Sequence, residues 1–208
     1  MKIDKDKFLF QYINEYGTLN DSRKQGLAFL LLALEADTSV KYVRWAAYML
    51  ATVKHECGGE WQPIREYSRG KGYKYGKVDP VTKQIYYGRG YVQLTWKYNY
   101  ESMGKVCKAD LVNQPDLVLN HATAYRIMSH GMRNGSFTGA ALSKFIHEKK
   151  CDYINARKII NGLDCAVKIA EYAVTIERML RNCVYDETEF KTLLRGFYAE
   201  KGKCYNYA

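Results

Sequence analysis

Proline is scarce in this chain, and long apolar runs, paired cysteines and metal-binding histidine motifs are missing altogether. Three prolines in 208 residues, with a hydrophobic fraction of 47%, exclude a fibrous or disordered polymer. They point instead to a mostly helical globule large enough for one proper core. The longest apolar stretch, Leu27 to Leu34, is far too short to span a bilayer, so no stable membrane insertion is expected. Gln11 and Tyr12 interrupt the apolar residues between Phe8 and Ile13, so no signal core follows the basic amino terminus and ordinary secretion is not expected. The six cysteines, at 57, 107, 151, 165, 183 and 204, include no Cys-x-x-Cys, which excludes a zinc ribbon or a redox motif. Free buried thiols are expected, with Cys183 and Cys204 able to pair in an oxidising compartment. His55-Glu56-Cys57-Gly58-Gly59 lacks the second histidine of a zinc-protease helix, and no Gly-x-Ser-x-Gly or phosphate-binding glycine loop occurs. His121, His130 and His147 read as ordinary helix residues. No metal and no cofactor are expected.

What is present is positive charge and tyrosine. A net charge of +10 suits a polyanionic partner: nucleic acid, a membrane surface or an acidic envelope polymer. The basic residues are scattered without a recognisable binding fold, so nucleic acid is not the expected partner. Nineteen tyrosines exceed ordinary usage, and aromatic rings stack on sugars as well as on bases.

Helical periodicity dominates. Helices are expected over Phe8–Tyr16 and from an N-cap at Asp21 or Ser22 through Ala36. Val40 to Val53 is apolar nearly all round and reads as the central buried helix, stopped by Gly58 and Gly59. Glu60 to Gln84 is polar, basic and glycine-containing, and a structureless stretch of that length is usually functional. Tyr86 to Trp96 alternates, with Val92, Leu94 and Trp96 on one side and Tyr91, Gln93 and Thr95 on the other, which predicts a strand. Further helices are expected over Tyr98–Val106, Pro115–Asn120, Ala122–Met132, Gly139–Glu148, Tyr153–Ile160, Cys165–Asn182 and Glu187–Tyr198. No repeat or linker divides the chain.

Two carboxylates ten residues apart, Glu56 and Glu66, carry the chemistry. Glu56 falls at the negative end of the apolar helix among hydrophobic neighbours, and both effects favour a protonated acid. Glu66 follows Arg65 and precedes Arg69, Lys71 and Lys74, and those cations favour an ionised base. Surroundings that push two carboxyls apart in this way are the acid/base pattern of glycosidases. Gln93 and Thr95 can share a strand face and hold a water or a sugar amide, while Gly88 and Gly90 let the backbone approach substrate. Blander readings stand beside these. Glu56 can be a plain helix terminus, and Glu66 a surface partner of Arg65 or Arg69. Arg89 reads as strand support, Asn161-Gly162 as a helix C-cap with positive φ at the glycine, and Trp61 and Trp96 as core.

The runs His55–Trp61 (HECGGEW), Tyr86–Glu101 (YYGRGYVQLTWKYNYE) and Ala156–Gly162 (ARKIING) resemble glycoside hydrolase family 19, which holds plant-type chitinases and bacteriophage endolysins. The likeness covers roughly Val40 to Glu177, and the Gly131–Gly139 segment is similar to the phage and prophage branch. The resemblance implies a mainly α, lysozyme-like, two-lobed helical fold with a small β element beside the cleft, in a single catalytic domain over 1–208 without a separate wall-binding domain. It implies Glu56 as general acid, Glu66 as the base that activates water, with Glu60 as the alternative, and Thr95 as the hydroxyl that helps hold the water. Gln93, Tyr98, Asn99 and Asn161 are implied substrate-binding residues. The implied activity is inverting cleavage of β-1,4 glycan bonds, in an endolysin acting on bacterial peptidoglycan. Chitinase activity, and an inactive sugar-binding relative, are the alternatives. That reading carries a monomer made in the host bacterial cytoplasm, with a separate holin giving access to the wall.

Overall fold

The computed structural model describes residues 2–185. Asp4 caps helix α1 (Lys5–Tyr16) by accepting from the Lys7 amide at 3.0 Å, and Asn20 caps α2 (Asp21–Ala36) by accepting from Arg23 at 2.9 Å. The α2 cap is thus one residue earlier than expected. Helix α3 (Val43–Glu56) is the central element: every residue from Trp45 to Val53 is buried. Gly58 and Gly59, at φ +58° and +77°, turn the chain away after it. Short strand β1 (Lys2–Ile3) precedes these helices, and β2 (Ile64–Arg65) pairs antiparallel with β3 (Arg89–Gly90).

Helix α4 (Lys97–Cys107) follows, then a 3-10 turn (Pro115–Leu119), α5 (His121–Asn134) and the single turn α6 (Leu142–Phe145). Strands β4 (Ile146–His147) and β5 (Lys150–Cys151) form a tight hairpin. Helix α7 (Tyr153–Ala156) runs into a 3-10 turn (Arg157–Ile159), and α8 (Ala166–Cys183) lies along α3 with α1 and α7 on its flanks. Strand β6 (Val184–Tyr185) closes against β1. The fold is mainly α with three two-stranded sheets among the described residues, and none of its described helices is long and apolar enough to cross a membrane.

Three expectations are corrected. Tyr86–Trp96 is not a strand: only Arg89–Gly90 is extended, and the chain doubles back so that Arg89 and Leu94 exchange backbone hydrogen bonds at 2.9 and 3.2 Å. Gly90 and Gln93, at φ +82° and +50°, make the reversal. The expected helix over Gly139–Glu148 survives only as α6, because the Ile146 carbonyl accepts from the Trp45 indole at 2.8 Å and the chain continues into β4, which also takes His147 out of any helix. Cys151 and Cys165 are exposed, whereas Cys57 and Cys183 are buried. The Glu187–Tyr198 helix and the Cys204 pairing fall outside the described residues.

The N-terminal strand is fastened to α2 by Glu35, which accepts from Lys2 at 2.9 Å and from Lys5 at 2.8 Å. The Lys5 hydrogen bond, against burial, holds Glu35 down at about 2. Its folded-state value is therefore depressed, and its contribution is present above the usual glutamate range and lost as pH falls from about 4.5 toward 2. Urea unfolding of Glu35→Gln should show a stability deficit at neutral pH that closes across that window. A deficit constant down to pH 2 would rule out the ion pair as its source.

Candidate active site

Glu66 follows β2 directly and is clamped to Gly88 from both sides. Its amide donates to the Gly88 carbonyl at 2.7 Å, and the Gly88 amide donates to Glu66 Oε2 at 3.1 Å. Ser68 and Tyr75 hydroxyls donate to Oε1 at 2.6 and 3.1 Å. An ionised carboxylate is an acceptor only, and three donors surround this one. Burial, then the hydrogen bond to Glu66, push Tyr75 up to about 12, so its hydroxyl stays a donor. The cationic surroundings expected for Glu66 are corrected here: Arg65 turns to Asp116 at 2.7 Å, and hydroxyls and an amide hold Glu66 instead.

Gly88 leaves no room for a side chain. A Cβ there would sit 2.9 Å from Gln93 Oε1 and 3.3 Å from Glu66 Cβ, so Glu66 and Gln93 meet across a bare backbone. Gln93 is fixed by donating to the Gly90 and Ile64 carbonyls at 3.1 and 3.3 Å. A Cβ on Gly90 would meet Val118 Cγ1 at 2.9 Å. Both glycines therefore make way for the protein's own side chains.

Glu56 ends α3, and its surroundings also differ from expectation. The Arg157 guanidinium, 4% exposed, reaches Glu56 Oε1 at 2.5 Å, and the carboxylate is only 14% exposed. Arg157 also donates to the Asp164 carbonyl at 3.0 Å, so it is fixed independently of Glu56. The apolar pocket predicted for Glu56 is replaced by a buried ion pair. The neighbouring Cys57 thiol, which burial pushes up and keeps neutral, lies 3.7 Å from the Gly90 carbonyl and 3.9 Å from that of Tyr91. The two glutamates thus flank one short strand: Glu66 is tied to Gly88, and Glu56 adjoins the residue tied to Gly90.

Three of the four implied binding residues come together with Thr95. Gln93, Thr95, Tyr98 and Asn99 line a hollow of about 190 Å³ with Phe137 and Ile160. Asn99 donates to the Thr95 carbonyl at 2.8 Å, while the Thr95 hydroxyl has no hydrogen-bond partner among the described residues. Asn161 follows Ile160 in the chain but is not among the residues that line the hollow and is exposed, and Gly162 lacks the positive φ of the expected cap. Glu60 does not join the group: Arg23 grips both its oxygens and holds it below the usual carboxylate range. Trp61 is fully buried, as expected, but Trp96 is 38% exposed. It stands edge-on to Tyr75, which stacks on Tyr73, and lies beside Tyr98, giving a row of four rings in which Tyr75 donates to Glu66 and Tyr98 lines the hollow. Trp96 and Gln93 hold left-handed φ values, which bulky residues keep only where the surroundings enforce them.

Arg157, Ser68, Tyr75 and Tyr73 were not singled out from the sequence. Arg157 lies in the Ala156–Gly162 run and could have been found there; the others sit in an irregular segment without periodicity. Among the described residues no group of three or more His, Cys, Asp or Glu is placed to hold a metal ion.

The profile of glycoside hydrolase family 19, described as chitinase class I, matches residues 21–128, just over half of the chain. Chitinase 3 of Oryza sativa subsp. japonica is 36% identical over 104 residues, covering 43% of this chain and 32% of the relative. Endochitinase A2 of Pisum sativum is 35% identical over 105 residues, covering 44% and 32%. The matched stretch thus spans about a third of these relatives. Chitinase C from Streptomyces griseus superposes with a TM-score of 0.56 at 22% identity, over 86% of this chain and 76% of its own. The class IV chitinase from Zea mays gives 0.55 at 17% identity, over 83% and 90%. These two likenesses fix the fold as the lysozyme-like one of those chitinases.

The clamp at Gly88 makes a stability prediction. Gly88→Ala should cost about 1–3 kcal/mol in urea unfolding, the usual range for overpacking. Gly162→Ala, with open space for its Cβ, should stay within about 0.5 kcal/mol. Equal midpoints for the two variants would show that Glu66 and Gln93 do not pack against Gly88 as described.

Proposed function

The chain belongs to glycoside hydrolase family 19, and from that premise we propose that it hydrolyses β-1,4 bonds of an amino-sugar glycan by an inverting mechanism. The observation that carries this reading is the pair of glutamates flanking one strand in unlike settings, one on a buried guanidinium and one among neutral donors. In this reading Arg157 occupies Glu56 Oε1 and leaves Oε2 to carry the proton. Glu56 protonates the leaving glycosidic oxygen, and the guanidinium compensates the carboxylate that results. Glu66 accepts a proton from water attacking the opposite face of the sugar, with the Thr95 hydroxyl helping to hold that water. The two carboxyls of an inverting pair stand about 6.5–9.5 Å apart to admit it. Gln93, Tyr98, Asn99 and Asn161 bind sugar, with the Trp96 ring as an additional stacking surface.

The glycan is bacterial peptidoglycan in the reading we favour, and the protein an endolysin acting as a monomer. The net charge of +10 supports this, since the wall polymer is anionic and chitin is not. The same reading places synthesis in the host bacterial cytoplasm, with a separate holin opening the way to the wall. Chitin is the second reading, and the names of the relatives, Chitinase 3 and Endochitinase A2, favour it.

Purified peptidoglycan and soluble chitin oligomers should be given in parallel to the wild type, Glu56→Gln and Glu66→Gln, each checked for folding. Loss of an acid or base of this kind lowers turnover by roughly 10²–10⁴-fold. Wall cleavage lost in both variants supports the endolysin; cleavage of chitin alone moves the chain to the chitinases. A folded protein inactive on both substrates would sink the enzyme reading. Charge makes a separate prediction. Wall lysis should slow between about 10 mM and 150 mM salt, as the screening length shrinks from roughly 30 Å to 8 Å. Rates flat over that range would remove the role given to the positive charge.

A further inference from the structure

A second hollow lies away from the glutamates. It has a volume of about 390 Å³ and is walled by α5, by Val106 near the end of α4 and by Asp37 just after α2. Tyr98, in the first hollow, and Val106 are eight residues apart on α4, roughly 12 Å along the helix. Arg126, His130 and Arg133 project from α5 at spacings of four and three, which places them on one face. Helix α5 carries no acidic residue to balance them.

The partners of these cations are few. Arg126 has no hydrogen bond or ion pair among the described residues, and neither has the His130 ring. Arg133 donates through Nε to the Ser129 hydroxyl at 3.2 Å, leaving its other guanidinium nitrogens unpaired. The one carboxylate at the hollow, Asp37, is committed to donors of the protein. It accepts from the Ser129 and Tyr125 hydroxyls at 2.5 and 3.1 Å, and from the Ser39 amide at 2.9 Å. Burial works to raise Asp37, yet the hydrogen bonds from Ser129, Ser39 and Tyr125, with the charge of Arg133 nearby, outweigh that effect and lower it. Two guanidiniums against one committed carboxylate leave the hollow net positive before His130 gains a proton.

We propose that the Arg126–His130–Arg133 hollow is a binding site for an oxyanion group, a carboxylate or a phosphate, separate from the glycan cleft. Guanidiniums present planar donors suited to both chemistries, and the volume exceeds what a lone ion needs, which suits an anionic group carried on a larger molecule. Burial first, then the nearby Arg133 and Arg126, push His130 below its ordinary value. An anion held between those cations would relieve that repulsion and raise it again. The inference rests on no assignment of the glycan. A polymer bearing carboxylates or phosphates would gain a second point of attachment here, and an uncharged one would not.

The test follows the His130 ring by NMR in the full chain, titrated with inorganic phosphate or with acetate, ionic strength being held constant with sodium chloride. Saturable shifts of His130, with its pKa raised by roughly one unit, and binding weakened at least about tenfold in Arg126→Ala are the expected result. Saturation by phosphate alone, or by acetate alone, assigns the group while supporting the site. The proposal is overturned if chloride reproduces the shift, which would mean screening only, or if Arg126→Ala binds as the wild type does. Arg126 is exposed, so folding of that variant is not at risk, and the unchanged spectrum of its other histidines would confirm it. Hydrolysis plays no part in the readout, so failure of this site and failure of the proposed activity are separable.

Discussion

The candidate site hangs from one buried guanidinium, that of Arg89. It pairs with Asp116 at 2.8 Å, donates to the Ile85 and Tyr87 carbonyls at 3.0 and 3.2 Å and to the Tyr100 hydroxyl at 3.0 Å, and lies 3.6 Å over the Tyr87 ring. A buried charge is tolerated only when paired and hydrogen-bonded, and Arg89 meets that condition entirely within the protein. In doing so it fixes the path of 85–89, the only stretch on which Gly88 can clamp Glu66 and the chain can then reverse to present Gln93. Asp116 extends the same network to Arg65, just before Glu66. One ionic hub therefore ties both strands under the site to the 3-10 turn at 115–119.

The helices were legible because burial on one side leaves a 3.6-residue signature, and α3 was legible because it is apolar all round. The Tyr86–Trp96 segment was misread for a related reason. Val92 and Leu94 alternate with Gln93 and Thr95, but a tight reversal held by Gly90 and Gln93 at positive φ buries both of them, and Tyr91 too, without a strand. Period-two patterning cannot tell these apart, since it records which side chains are buried and not how the backbone gets there. Gln93 and Thr95 still reach one hollow, through the reversal and not through a shared strand face. The α6–β4 region failed differently: the Trp45 indole claims the Ile146 carbonyl from a hundred residues away, a contact no local window contains.

The two glutamates show how far sequence neighbours mislead about electrostatics. Arg65 adjoins Glu66 in the chain but points to Asp116, because adjacent residues on an extended segment face opposite ways. Glu56 has apolar neighbours along α3, yet its partner is Arg157, a hundred and one residues on. In each case the expected neighbours are exchanged: the cation sits on the helix-end glutamate, and neutral donors surround the other. Spacing located the pair; only the tertiary fold could assign what each one feels.

That exchange bears on how the proposed acid would work. A carboxyl isolated in apolar surroundings keeps its proton by desolvation, and releasing it leaves an unsupported charge. A carboxyl with one oxygen on a fixed guanidinium has a counter-charge already in place beside the carboxylate that the proposed proton transfer would leave. Arg157 can play that part because the Asp164 carbonyl positions it without Glu56's help and because it is itself almost wholly buried. The strength of the pair then lies in its geometry. Among the described residues one carboxylate oxygen is committed to Arg157 and the other has no partner, and in the proposed reading that second oxygen is the one that would carry the proton.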